Sequence, residues 1–185
     1  HVFNAYLNYN QTFGKHSVGA TAGVNYETKK HNRLYASRKN LISESLNDLN
    51  LGTGDMEVGG GQYQYVLFGA FVRANYNYDE RYLVEFNGRY DGTSRYKKGY
   101  RYGFFPSASA AWRVSEEDFI KKLNVFSDLK FRIGYGLAGN NRIGSYNSLA
   151  LMSSIITAMG DQLTPGYASK QIPNPDLKWE ANKTF

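Results

Sequence analysis

The chain has 185 residues, 42% of them hydrophobic and 16% aromatic, with a formal net charge of +6 and a mean hydropathy of −0.54. No run approaches the roughly 18 apolar residues of a spanning helix, and the nearest, 149–160, is short and interrupted by Ser and Thr, so a membrane helix is excluded. The absence of Cys removes disulfides and thiolate metal sites. Low hydropathy leaves a membrane barrel open, because its strands meet lipid only at alternate residues.

Period two organises the chain. In residues 2–13, Phe3, Ala5, Leu7, Tyr9 and Phe13 share one face, and Asn4, Asn8, Asn10 and Thr12 the other. A turn at FGKH leads to a second strand, 16–27, with Val18, Ala20, Ala22, Val24 and Tyr26 opposite Ser17, Thr21, Asn25 and Glu27. Residues 28–62 read as a long polar loop ending in GGGQ. The third strand, 63–78, sets Val66, Phe68, Ala70, Val72, Ala74, Tyr76 and Tyr78 on one face, with Arg73, Asn75 and Asn77 among the residues of the other. Asp79–Glu80 turn tightly into a fourth, 81–91, where Tyr82, Val84, Phe86 and Tyr90 oppose Glu85, Asn87, Arg89 and Asp91. After a loop at 91–100, the fifth strand, 101–114, alternates Tyr102, Phe104, Ala108, Ala110 and Trp112 with Gly103, Ser107, Ser109 and Ala111. Residues 115–128 read as a helical turn, 128–138 as a sixth strand, 139–177 as a second long loop and 178–185 as a truncated strand.

Short connections alternate with long ones along this series, as in an antiparallel up-and-down transmembrane β-barrel. The strands run at or beyond the roughly 9–11 residues needed to cross a bilayer tilted. Aromatic residues gather near strand ends as two interfacial girdles. Phe13, Tyr76, Tyr78, Tyr82 and Trp112 lie on the short-turn side, and Tyr26, Tyr90 and Tyr102 on the long-loop side. An open sheet edge cannot sit in hydrocarbon, so these strands are one arc of a larger barrel. The chain starts without Met or a signal region and stops inside a patterned segment, so both termini read as cuts through a longer protein. Pro106 removes a ladder donor from an interior strand and predicts a bulge or a break in pairing.

Four blocks in order, RYLVEFNGRYDGTSRY (81–96), RYGFFPSASAAWRVSEEDFI (101–120), LKFRIGYGLAGNNRIGSY (129–146) and IPNPDLKWE (172–180), closely resemble the SusC/RagA-like family of TonB-dependent outer-membrane transporters. The resemblance implies a barrel of about 22 strands around a plug, located in the bacterial outer membrane. It also implies TonB-driven import of oligosaccharides, glycans or peptides, and a SusD-like surface lipoprotein over the extracellular side. The plug and TonB-contacting segment of that family precede the barrel, and nothing in this sequence matches them.

The remaining motifs have plainer readings. GYGLAG, with Gly134, Gly136 and Gly139, matches a dinucleotide fingerprint literally, but NNRIGSYN follows where a helix is required, so the glycines read as small residues of a strand. Ser115 and Asp118 in SEED read as a capping box rather than an acid/base pair. His1, His16 and His31 have no metal-ligand spacing, and no GxSxG or P-loop occurs. No catalytic, metal or cofactor-binding residue is therefore assigned, and the protein reads as a transporter rather than an enzyme. Trp179, after Pro173 and Pro175, reads as an interfacial anchor on the apolar face, with sugar stacking as the weaker alternative. The basic, aromatic run RYKKGYR (95–101) imitates a single-strand nucleic-acid binder but lacks a second platform. It reads as an extracellular loop suited to lipopolysaccharide phosphates, with no nucleic-acid partner. Glu85, Asn87, Arg89, Lys130 and Arg132 face the barrel interior, where they either line a solute path or pair with one another or with a plug. The rival readings are a passive porin, a barrel-anchored adhesin, and a soluble β-rich protein that binds glycans or nucleic acid.

Overall fold

In the computed structural model the chain is described at every residue except 44, 47 and 124, and it divides into two units, His1–Thr28 with Val66–Phe185, and Lys29–Tyr65. The strands are β1 (Val2–Phe13), β2 (His16–Arg38), β3 (Met56–Tyr78), β4 (Tyr82–Thr93), β5 (Tyr102–Arg113), β6 (Lys130–Asn140), β7 (Met152–Met159), β8 (Gln162–Ser169) and β9 (Glu180–Thr184). Seven of them form one sheet in the order β1-β2-β3-β4-β5-β6-β9, while β7 and β8 form a separate hairpin. The sheet leaves β1 and β9 as free edges, so it is an open arc of antiparallel strands rather than a closed barrel.

Within the first unit the registers keep the two faces separate. Ala74 lies opposite Phe86, Tyr76 opposite Val84, and Tyr82 opposite Trp112, whereas Arg73 faces Asn87 and Glu85 faces Ser109. The exposed face is the apolar one: Leu7 is 80% exposed and Ile133 76%, while Ser17, Asn25, Glu85, Asn87 and Ser109 are half-buried. A soluble sheet shows the opposite arrangement, with its apolar face against a core. An apolar exterior around a polar concave side is the face pattern of a membrane barrel.

Two tight turns close one rim. Gly14 takes a left-handed φ of 58°, which a residue without Cβ adopts freely, and Asp79 and Glu80 take φ of 51° and 56° in the β3–β4 turn.

The polar stretch 28–62 is mostly strand rather than loop, because β2 continues to Arg38 and β3 begins at Met56. In the second unit this ribbon is closed by bonds from Thr53 N–H to the Asn40 carbonyl and Gly54 N–H to the Lys39 carbonyl, beside a 3-10 turn at Leu49–Leu51. Residues 29–37 are exposed on both faces, so no apolar alternation marks them as a strand. Likewise 139–177 is not all loop, since it holds the end of β6 and the β7–β8 hairpin.

Residues 115–128 contain a 3-10 turn, Val114–Glu116, and one α-helical turn, α1 (Asp118–Lys121), with residue 124 outside the described residues. The capping box is absent: Glu117 precedes the helix without a side-chain cap, and the Ser115 hydroxyl instead donates to Asp128 Oδ1 at 3.3 Å. Pro106 produces no bulge, because the β4–β5 register runs unbroken from Tyr82↔Trp112 to Gly92↔Tyr102 and pairs Gly88 with Pro106. The interruption falls on the other side, where the β5–β6 ladder ends at Ser107↔Gly136 and β6 continues with β9 alone.

Candidate functional site

The concave polar face carries a continuous wall of paired side chains. Arg73 donates from Nε to Asn87 Oδ1 at 2.9 Å and from Nη2 to Glu85 Oε1 at 3.1 Å, and Asn87 Nδ2 donates to the same Glu85 oxygen at 2.9 Å. One rung further, Arg89 grips Asp91 through two bonds, 2.8 and 3.1 Å, and its guanidinium lies 5.8 Å from the Phe71 ring centre. Glycines make room for these long side chains. A Cβ on Gly69 would stand 2.7 Å from Asp91 Oδ1, and one on Gly19 would stand 2.6 Å from Asn75 Nδ2. Glu85 and Arg132 also border a cavity of about 580 Å³, with Asn10, Ser17, Asn75 and Ser109. Lys130 opposes Arg113 at the short-turn end of β6. Glu85 and Asn87 are thus tied across the β3–β4 pair to Arg73, and Arg89 is tied along β4 to Asp91, two partners the alternation placed on this face without singling out.

On the lipid-side face the aromatic residues form stacks. Tyr78 and Tyr82 lie 6.4 Å apart and Tyr82 and Trp112 lie 6.5 Å apart, all along the short-turn rim. Tyr76 bonds His16 Nδ1 through its hydroxyl at 2.7 Å, and Phe13 lies opposite His16. At the other end Tyr90 and Tyr102 stack at 5.3 Å with planes 2° apart, and Tyr26 is exposed on β2 opposite Phe3.

Ion pairs hold the short-turn rim. Lys15 Nζ meets Asp79 Oδ2 at 2.9 Å, and this bond raises the lysine pKa and lowers that of the carboxyl. Glu117 Oε1 accepts from Trp112 Nε1 at 3.1 Å and from the Tyr82 hydroxyl at 2.9 Å, which holds the Glu117 carboxyl below the usual range.

Trp179 sits elsewhere than on the lipid-side face. Its ring meets Phe105 edge-on at 5.3 Å and Tyr96 at 5.9 Å, and its Nε1 donates to the Arg101 carbonyl at 2.9 Å. Phe105 shares the face of Ser107 and Ser109, on the concave side. Tyr96, 2% exposed, is the most buried large side chain, and burial pushes its phenol pKa up. The RYKKGYR loop is therefore folded inward: Arg95 Nη1 donates to the Asn141 carbonyl at 3.1 Å and Arg101 Nε to the Tyr96 carbonyl at 3.0 Å. Residues 97–101 of the run face solvent, but with Tyr96 buried Tyr100 is its one exposed ring, which is a single aromatic residue rather than an interleaved platform for bases. The GYGLAG glycines have structural neighbours, with Gly134 and Gly136 against Ser109 and Ser107 and Gly139 beneath the Phe105 ring. Among the described residues no group of three or more His, Asp or Glu is placed to hold a metal ion.

An open antiparallel arc with a lipid-type exterior and a polar interior wall defines a segment of an outer-membrane β-barrel. The chain matches the family model described as TonB dependent receptor-like, beta-barrel, over residues 1–185, and it belongs to that family. It is 33% identical over 180 residues to TonB-dependent receptor P3 of Formosa agariphila, covering 96% of this chain and 18% of that protein. With TonB-dependent receptor SusC of Bacteroides thetaiotaomicron it shares 40% identity over 123 residues, covering 62% of this chain and 12% of that one. The solved structure of the RagAB peptide transporter superposes with a TM-score of 0.85 at 28% identity, over 98% of this chain and 20% of the other. The chain thus spans a fifth or less of the length of these relatives.

Proposed function

We propose that this chain is one arc of the barrel of a TonB-dependent importer that moves oligosaccharides, glycans or peptides across the outer membrane beneath a SusD-like surface lipoprotein. The observation that carries the reading is the inverted distribution of faces, with an apolar exterior and a hydrogen-bonded polar wall of Arg73, Glu85, Asn87, Arg89 and Asp91 inside. Family membership supports the import direction, the likeness to a peptide transporter supports peptide cargo, and the likeness to SusC is consistent with the glycan class and the lid partner that the sequence resemblance implies. In this account the arc binds no cofactor and performs no covalent chemistry. Its polar wall, including Lys130 and Arg132, offers solute or plug a surface of alternating donors and acceptors. The surfaces it presents to lipid and lipopolysaccharide are the aromatic girdles and the extracellular loops.

Uptake in cells tests this directly. A strain lacking the full-length protein should lose uptake of one oligosaccharide or peptide class, and loss of TonB should reproduce the defect. The full-length protein should also retain a surface lipoprotein through purification. Uptake that survives TonB removal would identify a passive porin instead, and unchanged uptake of every cargo without the protein would refute import altogether.

A further inference from the structure

Three connections share the short-turn rim, and one does not fit the others. The turns between β1 and β2 and between β3 and β4 use two and three residues, whereas 114–129 between β5 and β6 uses sixteen. Its start is tied to the outside of the barrel. Trp112 and Tyr82 both stand on the lipid-side face, and both donate to Oε1 of Glu117. From that point the chain makes the single turn Asp118–Lys121 and runs on toward β6. Phe119, Leu123, Val125 and Phe126 along it are 58%, 59%, 71% and 51% exposed, so they are not buried against the strands they connect. A connection surrounded by water has no reason to carry four large exposed apolar side chains.

We propose that this connection is a membrane anchor lying in the interface, with Phe119, Leu123, Val125 and Phe126 seated at the acyl–headgroup boundary and Lys122 on the phospholipid phosphates. The occupant is lipid because the segment continues an existing lipid contact. It begins where the Tyr78–Tyr82–Trp112 stack marks the level of the headgroups, and Glu117 joins the two. Charge fits as well. Glu116 is held by Lys121 at 2.7 Å and Glu117 by Arg81 at 3.4 Å, while Lys122 makes no ion pair among the described residues. Lysine stems lie along apolar surface while their ammonium groups reach phosphate, the arrangement of interfacial segments generally. The proposal concerns how the barrel is seated, and it holds whatever the cargo.

The test uses the full-length protein in liposomes, with single cysteines at Phe126→Cys and Leu123→Cys carrying an environment-sensitive fluorophore. Lys97→Cys on the opposite rim serves as the reference. Lipids brominated near the glycerol end should quench the Phe126 and Leu123 labels at least about twofold more than the Lys97 label. Quenching by brominated phosphatidylglycerol, but not by brominated phosphatidylcholine, should fall in Lys122→Glu. Each variant is first checked to migrate as a folded barrel in unheated detergent gels. Labels quenched by aqueous iodide and not by lipid would overturn the proposal. Labels quenched by neither would show a protein cover, such as a plug or periplasmic partner, and would overturn it equally. An unchanged signal in Lys122→Glu would overturn the assignment to headgroup phosphate.

Discussion

The ring of Phe105 lies across Gly139, and a Cβ at that glycine would run into it. Phe105 fills the space that the missing side chain leaves, and the same ring covers Gly103. Gly139→Ala should therefore destabilise the full-length barrel by about 1–3 kcal/mol, as overpacking does elsewhere. Gly134→Ala, where a Cβ would meet Ser109 Cβ at an ordinary 3.4 Å, should stay within about 0.5 kcal/mol. Urea unfolding in detergent micelles distinguishes them, and equal midpoints would remove the packing explanation.

Trp179 joins the loops through both its ring and its N–H. Trp179→Phe keeps an aromatic body but loses the bond to the Arg101 carbonyl, and should cost about 0.5–1.5 kcal/mol. Trp179→Ala also removes the edge contacts with Phe105 and Tyr96 and should cost more. Hydrogen exchange in residues 93–101 should accelerate in both variants, more in the second. Exchange unchanged in Trp179→Ala would show that the loops are held by other contacts.

The clamp between Lys15 and Asp79 makes the rim sensitive to pH. The lysine depresses the Asp79 pKa, so the carboxylate's contribution is complete above the unfolded aspartate value and fades as pH falls through the folded one. Lys15 is raised, so its contribution is complete below the unfolded lysine value and fades as pH climbs through the folded one. Comparing amide exchange at Asp79 and Arg81 between wild type and Asp79→Asn should reveal extra protection in wild type at neutral pH. That difference should begin to shrink as pH falls below the unfolded aspartate value of about 3.9, and vanish only below the depressed folded value. A difference that persists through the acid range would contradict the clamp.

Placing a charge on the lipid-side face should cost far more than removing one from the interior. Ile133→Arg puts a cation where Ile133 is now exposed, and near the bilayer midplane it should cost about 2–4 kcal/mol. Arg132→Gln, one residue away on the interior face, should change stability by less than about 1 kcal/mol. Refolding equilibria in lipid vesicles supply both numbers, and similar costs would mean that the faces are misassigned.

Much of this was legible in the sequence for one physical reason, that lipid and water impose period two on every strand between them. The alternation of Tyr82, Val84, Phe86 and Tyr90 against Glu85, Asn87 and Arg89 located β4 and both its faces. Residues 29–38 and 56–62 gave no such signal, because a ribbon wet on both sides has no apolar face to repeat. The β7–β8 hairpin was hidden inside a segment whose apolar residues, Ile155 and Ile156 among them, follow no strict alternation. Trp179 was assigned by parity, but its surroundings depend on where the loops fold back, and parity along one strand does not carry through a loop. Pro106 gave the break in pairing but not the bulge: its lost N–H matters only toward β6, and the β5–β6 ladder ends beside it at Ser107. Arg73 and Asp91 had the right parity throughout, but parity does not show that Arg73 reaches Glu85 across the strands or that Asp91 holds Arg89 along β4.

The central claim, that β5 crosses a bilayer with one face to lipid and one to a wet interior, is tested most directly by a cysteine scan of residues 103–111 in the full-length protein in intact outer membranes. Modification by a charged, membrane-impermeant maleimide should alternate, with Ser107→Cys, Ser109→Cys and Ala111→Cys reacting and Phe104→Cys, Ala108→Cys and Ala110→Cys remaining protected. Equal modification at both sets, or protection that follows no period of two, would contradict the barrel account.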